Sequence, residues 1–526
     1  MKTMNNLKTL LLLAITSYLL GCGGGSSDSG PNIDLKFNPG SISADLIETE
    51  TEWWPISVTV TGDIADIKDD VYIYIVDDTG VISTDVYIRQ NSQTSYSFEL
   101  NSKDNLSPGE YKGNIAVKLC KNSSCSSEYK NSPWLLPFDI KVKSHTNLTN
   151  RTYIPEYQGW YTTDGNNART RFVPVNLDPS EFSPRWLWKS PREYRVTKLM
   201  THDEFVYLFE DNKREIGSDY DLNLVAISEE TGTESWHTKI PAYFFPHSFT
   251  VNEGNIFLTK TVSMNRDEIA EISKIDASNG TILNQKQFIV TEEEVDNGKS
   301  ITLGRVLADL GNLYFSENNE QFSTDYDFNE SWSRPSVGGV FAKVGGNLYA
   351  FNSEGITILD SKNGNVIKHI ILPDDITNYA PQYIISGSYA IIKTTREIIG
   401  YDIENDSIKW EADIPYRSYP HLAVGNGTLF IAANASVKAV DIKTGDEKWS
   451  KTIEDNATGR GSLILTNNIL FISSEYGTIA IDINTQKLVW GYPFGGQMAI
   501  SKGSVLYITR YVNSFKSHVL AAINLN

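Results

Sequence analysis

The chain has 526 residues, of which 40% are hydrophobic and 11% aromatic, enough for packed cores in more than one domain and too apolar for global disorder. Its formal charge is −19, from 65 acidic and 46 basic residues, and a surface of that sign disfavours nucleic acid as a partner. Only three cysteines are present, at 22, 120 and 125.

The chain opens MKTMNNLKTLLLLAITSYLLGCGGGSSDSG, with Lys2 and Lys8 ahead of an apolar run from Thr9 to Leu20. That run is too short to span a bilayer comfortably and reads as a signal-peptide core. Gly21 before Cys22 resembles the bacterial lipobox. The resemblance implies cleavage before Cys22 and lipid on its thiol. Gly23 rather than Asp in the next position implies export to the outer membrane. Residues 1–21 are then a lipoprotein signal peptide and residues 22–32 a flexible polar tether, with the lipid as the membrane contact.

Residues 33–143 alternate in short bursts: ISVTV from Ile56, VYIYIV from Val71, YSFEL from Tyr96, NIAVKL from Asn114 and FDIKV from Phe138. Turn-rich pieces separate them, a spacing that predicts an Ig-like β-sandwich with Ile115, Val117 and Leu119 on one buried face. Cys120 and Cys125 close the phrase CKNSSC, which in an exported chain predicts a local disulfide. A metal site is the alternative, although the nearest histidine is His145.

Residues 144–160 lead into the last region, 161–526, where one phrase recurs. VKAVDIKTGDEKW places Asp441, Gly445 four residues on and Trp449 eight residues on. Asp402 with Trp410, Asp482 with Trp490, Gly232 with Trp236, Asp276 with Gly280, and Asp360 with Gly364 repeat it with substitutions. A decayed copy sits at Thr324, Phe328 and Trp332, and a last one begins at Asn524. Successive anchors lie 36 to 48 residues apart, the period of a propeller blade or a solenoid unit. A second repeat, a turn followed by a short apolar strand such as GNIFL or GNLYF, precedes every anchor in register. Each unit therefore reads as four strands. Asp caps a turn, Gly takes a backbone conformation costly to other residues, and Trp fills the seam between sheets. The eighth unit stops before an outermost strand, and FSPRWLWKSP, with Trp186 and Trp188, is expected to supply it. The predicted fold is all-β: an Ig-like sandwich, then an eight-bladed β-propeller closed by an N-terminal strand.

The phrases AVDIKTGDEKW, AISEETGTESW and GYDIENDSIKW resemble the pyrroloquinoline-quinone (PQQ)-type propeller repeat. YQGWYTTDGNNARTRFVPVNLDPSEFSPRWLW resembles the segment that leads into propellers of that family. The resemblance covers residues 151–526 and implies the fold rather than a function. Dehydrogenases of the family hold the quinone beside a disulfide of adjacent cysteines, with calcium and an Asp base. No cysteine follows Cys125, so no quinone or other cofactor is expected. The seven histidines show no ligand-like pairing, so no metal is expected either. Non-catalytic relatives include an outer-membrane lipoprotein of the β-barrel assembly machinery, from which the Ig-like module departs.

The leading expectation is a non-catalytic, lipid-anchored outer-membrane protein, facing the periplasm or the cell surface, whose propeller is a scaffold for an envelope protein partner. The alternative is a module binding glycan or another envelope polymer. A quinone-dependent dehydrogenase is the least supported reading. Loops between blades, and those joining second to third strands, share one propeller face. Tyr243, Phe244, Tyr416, Arg417, Tyr419, Tyr476, Arg510 and Tyr511 fall in them and form a candidate aromatic and cationic binding face. The same side chains have an alternative use, packing against their own blades.

Overall fold

The structure is a computed structural model. It describes residues 31–525 except 49, 68–70, 104–105, 213–220, 241–247, 265–266, 297–300, 302, 318–319, 353, 374–381, 415–419, 434, 454–461, 475–476 and 511–518. The chain divides into two compact units, Met1–His145 and Thr146–Asn526.

In the first unit two sheets face each other. One orders Ile33–Asn38, Trp53–Gly62, Ser95–Ser102 and Ile82–Ser83, with Arg89–Gln90 also on Ser95–Ser102. The other orders Ile42–Ile47, Trp134–Lys143, Gly109–Cys120 and Tyr72–Val76. Alternate residues of the long strands point inward, so Ile56, Leu100, Ile115, Val117, Leu119, Leu136 and Ile140 make a shared core. Cys120 and Cys125 are joined by a disulfide at the end of the Gly109–Cys120 strand. Strands Ile33–Asn38 and Ile42–Ile47 have no counterpart in the sequence reading. The second pairs in parallel with Trp134–Lys143, a long-range register that local alternation does not reveal.

The second unit contains eight four-stranded antiparallel sheets among the described residues. Their innermost strands are Arg195–His202, Ser248–Asn252, Leu307–Asp309, Gly339–Val344, Gln382–Ser386, His421–Gly425, Ser462–Leu465 and Met498–Ile500. Each touches the next in that order, and the eighth touches the first, so the ring closes. Burial falls from the inside out. In the sixth sheet His421–Gly425 is almost wholly buried, while the outermost strand, Glu447–Thr452, is mostly exposed. That gradient explains why inner strands read as continuous apolar runs and outer ones as alternating polar runs.

The repeated phrase joins neighbouring sheets. Trp236 at the outer strand of the first sheet donates Nε1–H to the Ala277 carbonyl of the second at 3.1 Å. Trp332 donates to Ser361 O at 3.1 Å and Trp410 to Ile442 O at 2.9 Å, each reaching the next sheet. The accepting residue always directly follows the anchor Asp. Its own N–H returns to the first hairpin turn of its sheet, as from Ala277 to Gly254 O and from Ile442 to Gly427 O, which is why the two sequence repeats stay in register. Gly280, Gly364 and Gly445 lie against the Trp from the preceding sheet and have φ of 71 to 78°. Asp276, Asp360, Asp402, Asp441 and Asp482 each accept from the N–H two residues on, as Asp441 Oδ1 does from Lys443 at 2.9 Å.

Two departures from the phrase occur as facing pairs, whereas Gln486 replaces the Gly of the seventh unit opposite a retained Trp449. Lys368 stands where a Trp is expected, and its Nζ donates to Ile403 O at 2.6 Å, while the next Gly position holds Asp406. Asn284 likewise replaces a Trp, donates to Asp327 O at 3.2 Å, and is followed by Phe328 at the Gly position. In the decayed copy the anchor is Asp325 rather than Thr324. Asp325 Oδ1 accepts from Asp327 N at 2.8 Å, and the turn to Trp332 is one residue shorter than elsewhere. Trp490 fills its seam with a ring contact to Phe182 at 5.6 Å, and Trp449, 5.8 Å from Phe430 of its own sheet, packs with a cluster that includes Leu470 and Ile481 of the seventh.

The last sheet combines both ends of the region. Ser183–Lys189 pairs antiparallel with Val519–Asn524, from Ser183 opposite Asn524 to Lys189 opposite Val519, with a β-bulge at Arg185. Trp188 is buried there, and Trp186 donates to Glu229 O of the first sheet at 3.0 Å, with Gly232 against its ring. Arg185, 2% exposed, donates to Glu229 O, Thr149 O and Asn524 Oδ1 at 2.8–3.0 Å. The contacts of this unit begin upstream of residue 161: Asn147 N donates to Arg185 O and Ile154 N to Lys502 O.

A Cβ on Gly445 would lie 2.5 Å from Trp410 Cγ, whereas one on Gly427, also at positive φ, meets open space. Gly445→Val is expected to cost about 2–4 kcal/mol in urea unfolding, and Gly427→Ala about 1 kcal/mol. Equal losses would show that backbone conformation, not the Trp contact, fixes Gly445. Arg185→Leu removes four buried or half-buried hydrogen bonds at the closure and is expected to cost about 3 kcal/mol in the same measurement.

Candidate functional site

An inner strand pairs on one side with the second strand of its sheet, and its other edge faces the axis of the ring. Backbone N–H groups on that edge need partners. The segment Tyr157–Arg171 supplies them. The carbonyls of Trp160, Tyr161, Asn167, Ala168, Thr170 and Arg171 accept from Thr201, Val251, Lys343, Ile385, Val424 and Leu465, at 2.9–3.1 Å. Asn167 Nδ2 donates to Ala308 O at 3.0 Å and Tyr157 OH to Ile500 O at 3.1 Å. One segment thus bonds to the inner strands of all eight sheets. All eight contacts fall at or near the strand ends that lead into the first hairpin turn.

The local sequence explains the path. Trp160 is buried, and Gly165, at φ 91°, packs on its ring, where a Cβ would come within 3.0 Å. Asn166 Oδ1 accepts from Thr170 N and its Nδ2 donates to Thr170 Oγ1, tying the loop across four residues. Arg169 and Arg171 are both held at positive φ, 66° and 54°, a conformation that costs about 1 kcal/mol or more for a residue with a side chain.

Those two arginines close on Asp164. Arg169 Nε donates to Asp164 Oδ2 and Arg171 Nη2 to Oδ1, both at 2.9 Å, and Arg305 Nη1 reaches Oδ2 at 3.2 Å. Burial by itself would raise the Asp164 carboxyl, but Arg171, Arg169 and Arg305 together hold it far below the usual carboxylate range. The neighbouring cations feel the opposite pressure. Lys393 is pushed down by burial and by Arg171, and Lys198 falls to about 8 through burial and Arg305. Lys393 Nζ donates to two neutral oxygens, Gln382 Oε1 at 3.2 Å and Pro420 O at 2.9 Å.

A cavity of about 290 Å³ adjoins this cluster, lined by Asp164, Arg169, Arg171, Lys393 and the beginnings of the fifth and sixth inner strands. Gln382 and His421 open those strands, and Lys393 ends the second strand of the fifth sheet. The cavity therefore reaches from the bonded segment toward the face that carries the inter-sheet loops and the second-to-third-strand loops.

Of the candidate face drawn from the sequence, Tyr243, Phe244, Tyr416, Arg417, Tyr419, Tyr476 and Tyr511 lie outside the described residues, as does Cys22. Arg510 is described, and its guanidinium lies 4.9 Å from the ring centre of Phe494, in the connection between the seventh and eighth sheets. Asp164, Arg169, Arg171, Arg305 and Lys393 were not selected from the sequence. The available signal was the phrase DGNNARTR, where three charges crowd into a segment otherwise rich in small and amide side chains.

A closed ring of four-stranded sheets stitched by Asp–Gly–Trp phrases defines a PQQ-type β-propeller. Residues 386–522 match the model of the family described as outer membrane protein assembly factor BamB. No curated protein matches the chain. Among solved structures, quinohemoprotein alcohol dehydrogenase from Comamonas testosteroni is similar at a TM-score of 0.50 and 11% identity, over 70% of this chain and 80% of that one. BamB from Moraxella catarrhalis is similar at a TM-score of 0.45 and 9% identity, over 65% of this chain and 97% of that one. A europium-containing methanol dehydrogenase gives 0.49 and 10%, over 70% and 99%. At these identities the likeness is one of fold.

Because the Asp164 carboxyl lies below its ordinary value of 3.8, the stability it confers is present above that pH and is lost as pH falls further. Asp164→Asn is expected to cost about 3 kcal/mol at pH 7. The gap between variant and parent should narrow from pH 4 toward pH 2 in thermal unfolding. A gap independent of pH would show that the ion cluster is not its source.

Proposed function

We propose that the protein is a non-catalytic, lipid-anchored protein of the outer membrane, built from an Ig-like sandwich and an eight-bladed propeller, and that the propeller is a scaffold for protein partners. The observation that carries this reading is the use of the axis. One end of the channel is bonded all round by the chain's own segment. What remains is a charged cavity toward the loop-bearing face. The fold's likeness to both BamB and quinoprotein dehydrogenases leaves the site chemistry to decide between scaffold and enzyme.

That chemistry does not fit a calcium-held quinone. Asp164, the buried carboxylate beside the cavity, has both oxygens engaged by guanidinium groups, which leaves it a poor calcium ligand and a poor base. The cysteines at 120 and 125 belong to the first unit, bonded to each other. Conserving the seams consumes the recurrent Asp, Gly and Trp residues in structure, so specificity falls to the loops and the cavity.

Two measurements test the reading. Purified protein mixed with PQQ, calcium and alcohols is expected to reduce no acceptor dye, and turnover would overturn the non-catalytic role. Cys22→Ala is expected to move the protein from the membrane fraction to the soluble fraction of the envelope, and retention in the membrane would overturn the lipid anchor.

A further inference from the structure

The axial cavity is cationic in a chain whose net charge is −19. Arg169, Arg171 and Lys393 line it, Arg305 stands behind Asp164, and Asp164 is the one carboxylate among its described lining residues. Asp164 takes one nitrogen from each of Arg169 and Arg171, while a guanidinium carries five N–H donors in a planar fork suited to carboxylates. Lys393 lies close enough to Arg171 for repulsion to press on its charge, and its bonded oxygens are neutral. Donors and positive charge thus converge on a space that a second carboxylate fits, beside one carboxylate already gripped the same way.

We propose that this cavity receives an acidic side chain, Asp or Glu, from an extended segment of a partner protein. The proposal rests on the scaffold reading above and assigns its docking point. The volume of about 290 Å³ admits a carboxylate side chain with part of its backbone. Its lining includes Gln382 and His421, the first residues of the fifth and sixth inner strands, and the flanking segment would lie on that side of the ring. The bond is charge-assisted at Arg171 and Lys393. Bringing an anion in relieves the crowding of like charges that the free cavity carries.

The test uses the full-length protein and a fluorescein-labelled octapeptide of alternating Gly and Glu, with a Gly–Gln octapeptide as control, read by fluorescence anisotropy. The Glu peptide is expected to bind and the Gln peptide not to bind. Affinity is expected to fall about tenfold between 50 and 500 mM NaCl, because the attraction is between charges. Lys393→Gln leaves the Asp164 cluster intact, and it is expected to weaken binding about fivefold or more with unchanged thermal stability. Arg171→Gln is expected to weaken it further. Equal binding of the two peptides, or unaltered binding by Lys393→Gln, overturns the proposal. Binding of citrate or inorganic phosphate without binding of the Glu peptide also overturns it, in favour of a free-anion site. Crosslinking in intact envelopes separates this inference from the reading beneath it. Partners captured equally by the Lys393→Gln protein leave the scaffold standing and remove the cavity as its docking point. No partner captured by the parent protein removes the scaffold itself.

Discussion

The hydrogen bond from a Trp indole to a carbonyl of the next sheet is the contact on which the ring depends. Trp186, Trp236, Trp332 and Trp410 make it, each to the residue just after an anchor position. A glycine lies against each of these rings, because only a residue without Cβ lets the turn descend onto the indole. A four-stranded sheet of this size buries little on its own. The seam gives each sheet a second apolar face, and the bond fixes how far one sheet is rotated against the next. Substitution follows the same logic: where Lys368 or Asn284 takes over the donor role, the facing position is freed from glycine.

Closure follows from repeating that seam through the full circle, with Lys368, Asn284 and the rings of Trp449 and Trp490 serving where the indole bond is not made. Trp186 comes from the beginning of the region, yet it bonds to the first sheet from the eighth, as any outer-strand Trp would. Arg185 beside it is bound by acceptors from the segment Thr149, the first sheet and the C-terminal strand at once. Once the ring is closed, eight inner edges face a common axis, and their N–H groups cannot all be left to water at a buried strand end. The segment from Tyr157 to Arg171 answers that demand, and its turns bring Asp164, Arg169 and Arg171 together. The charged cavity is thus a by-product of satisfying backbone groups, placed where function can use it.

Much of the architecture was legible in the sequence because its signals are local. Asp441, Gly445 and Trp449 lie within nine residues, and the turn they define shows in any copy. The closing strand was legible because an unpaired Trp-bearing run preceded a repeat that lacked its last strand. Thr324 was misread for Asp325 because a turn shortened by one residue shifts the register. Strand Ile42–Ile47 went unseen because its partner lies nearly a hundred residues away. The candidate site was hardly legible. Arg305 and Lys393 are separated from Asp164 by 141 and 229 residues, and nothing in their own surroundings marks them.

By itself the sequence determined the repeating unit, its count of anchors and the residues that turn each strand, since these rest on backbone conformations and neighbours a few positions apart. Only the tertiary structure decided which sheet each Trp addresses, what lies along the axis, and which charges meet there. Those are set by ring closure, which brings distant edges within hydrogen-bond reach and turns separate cations on several strands into one field.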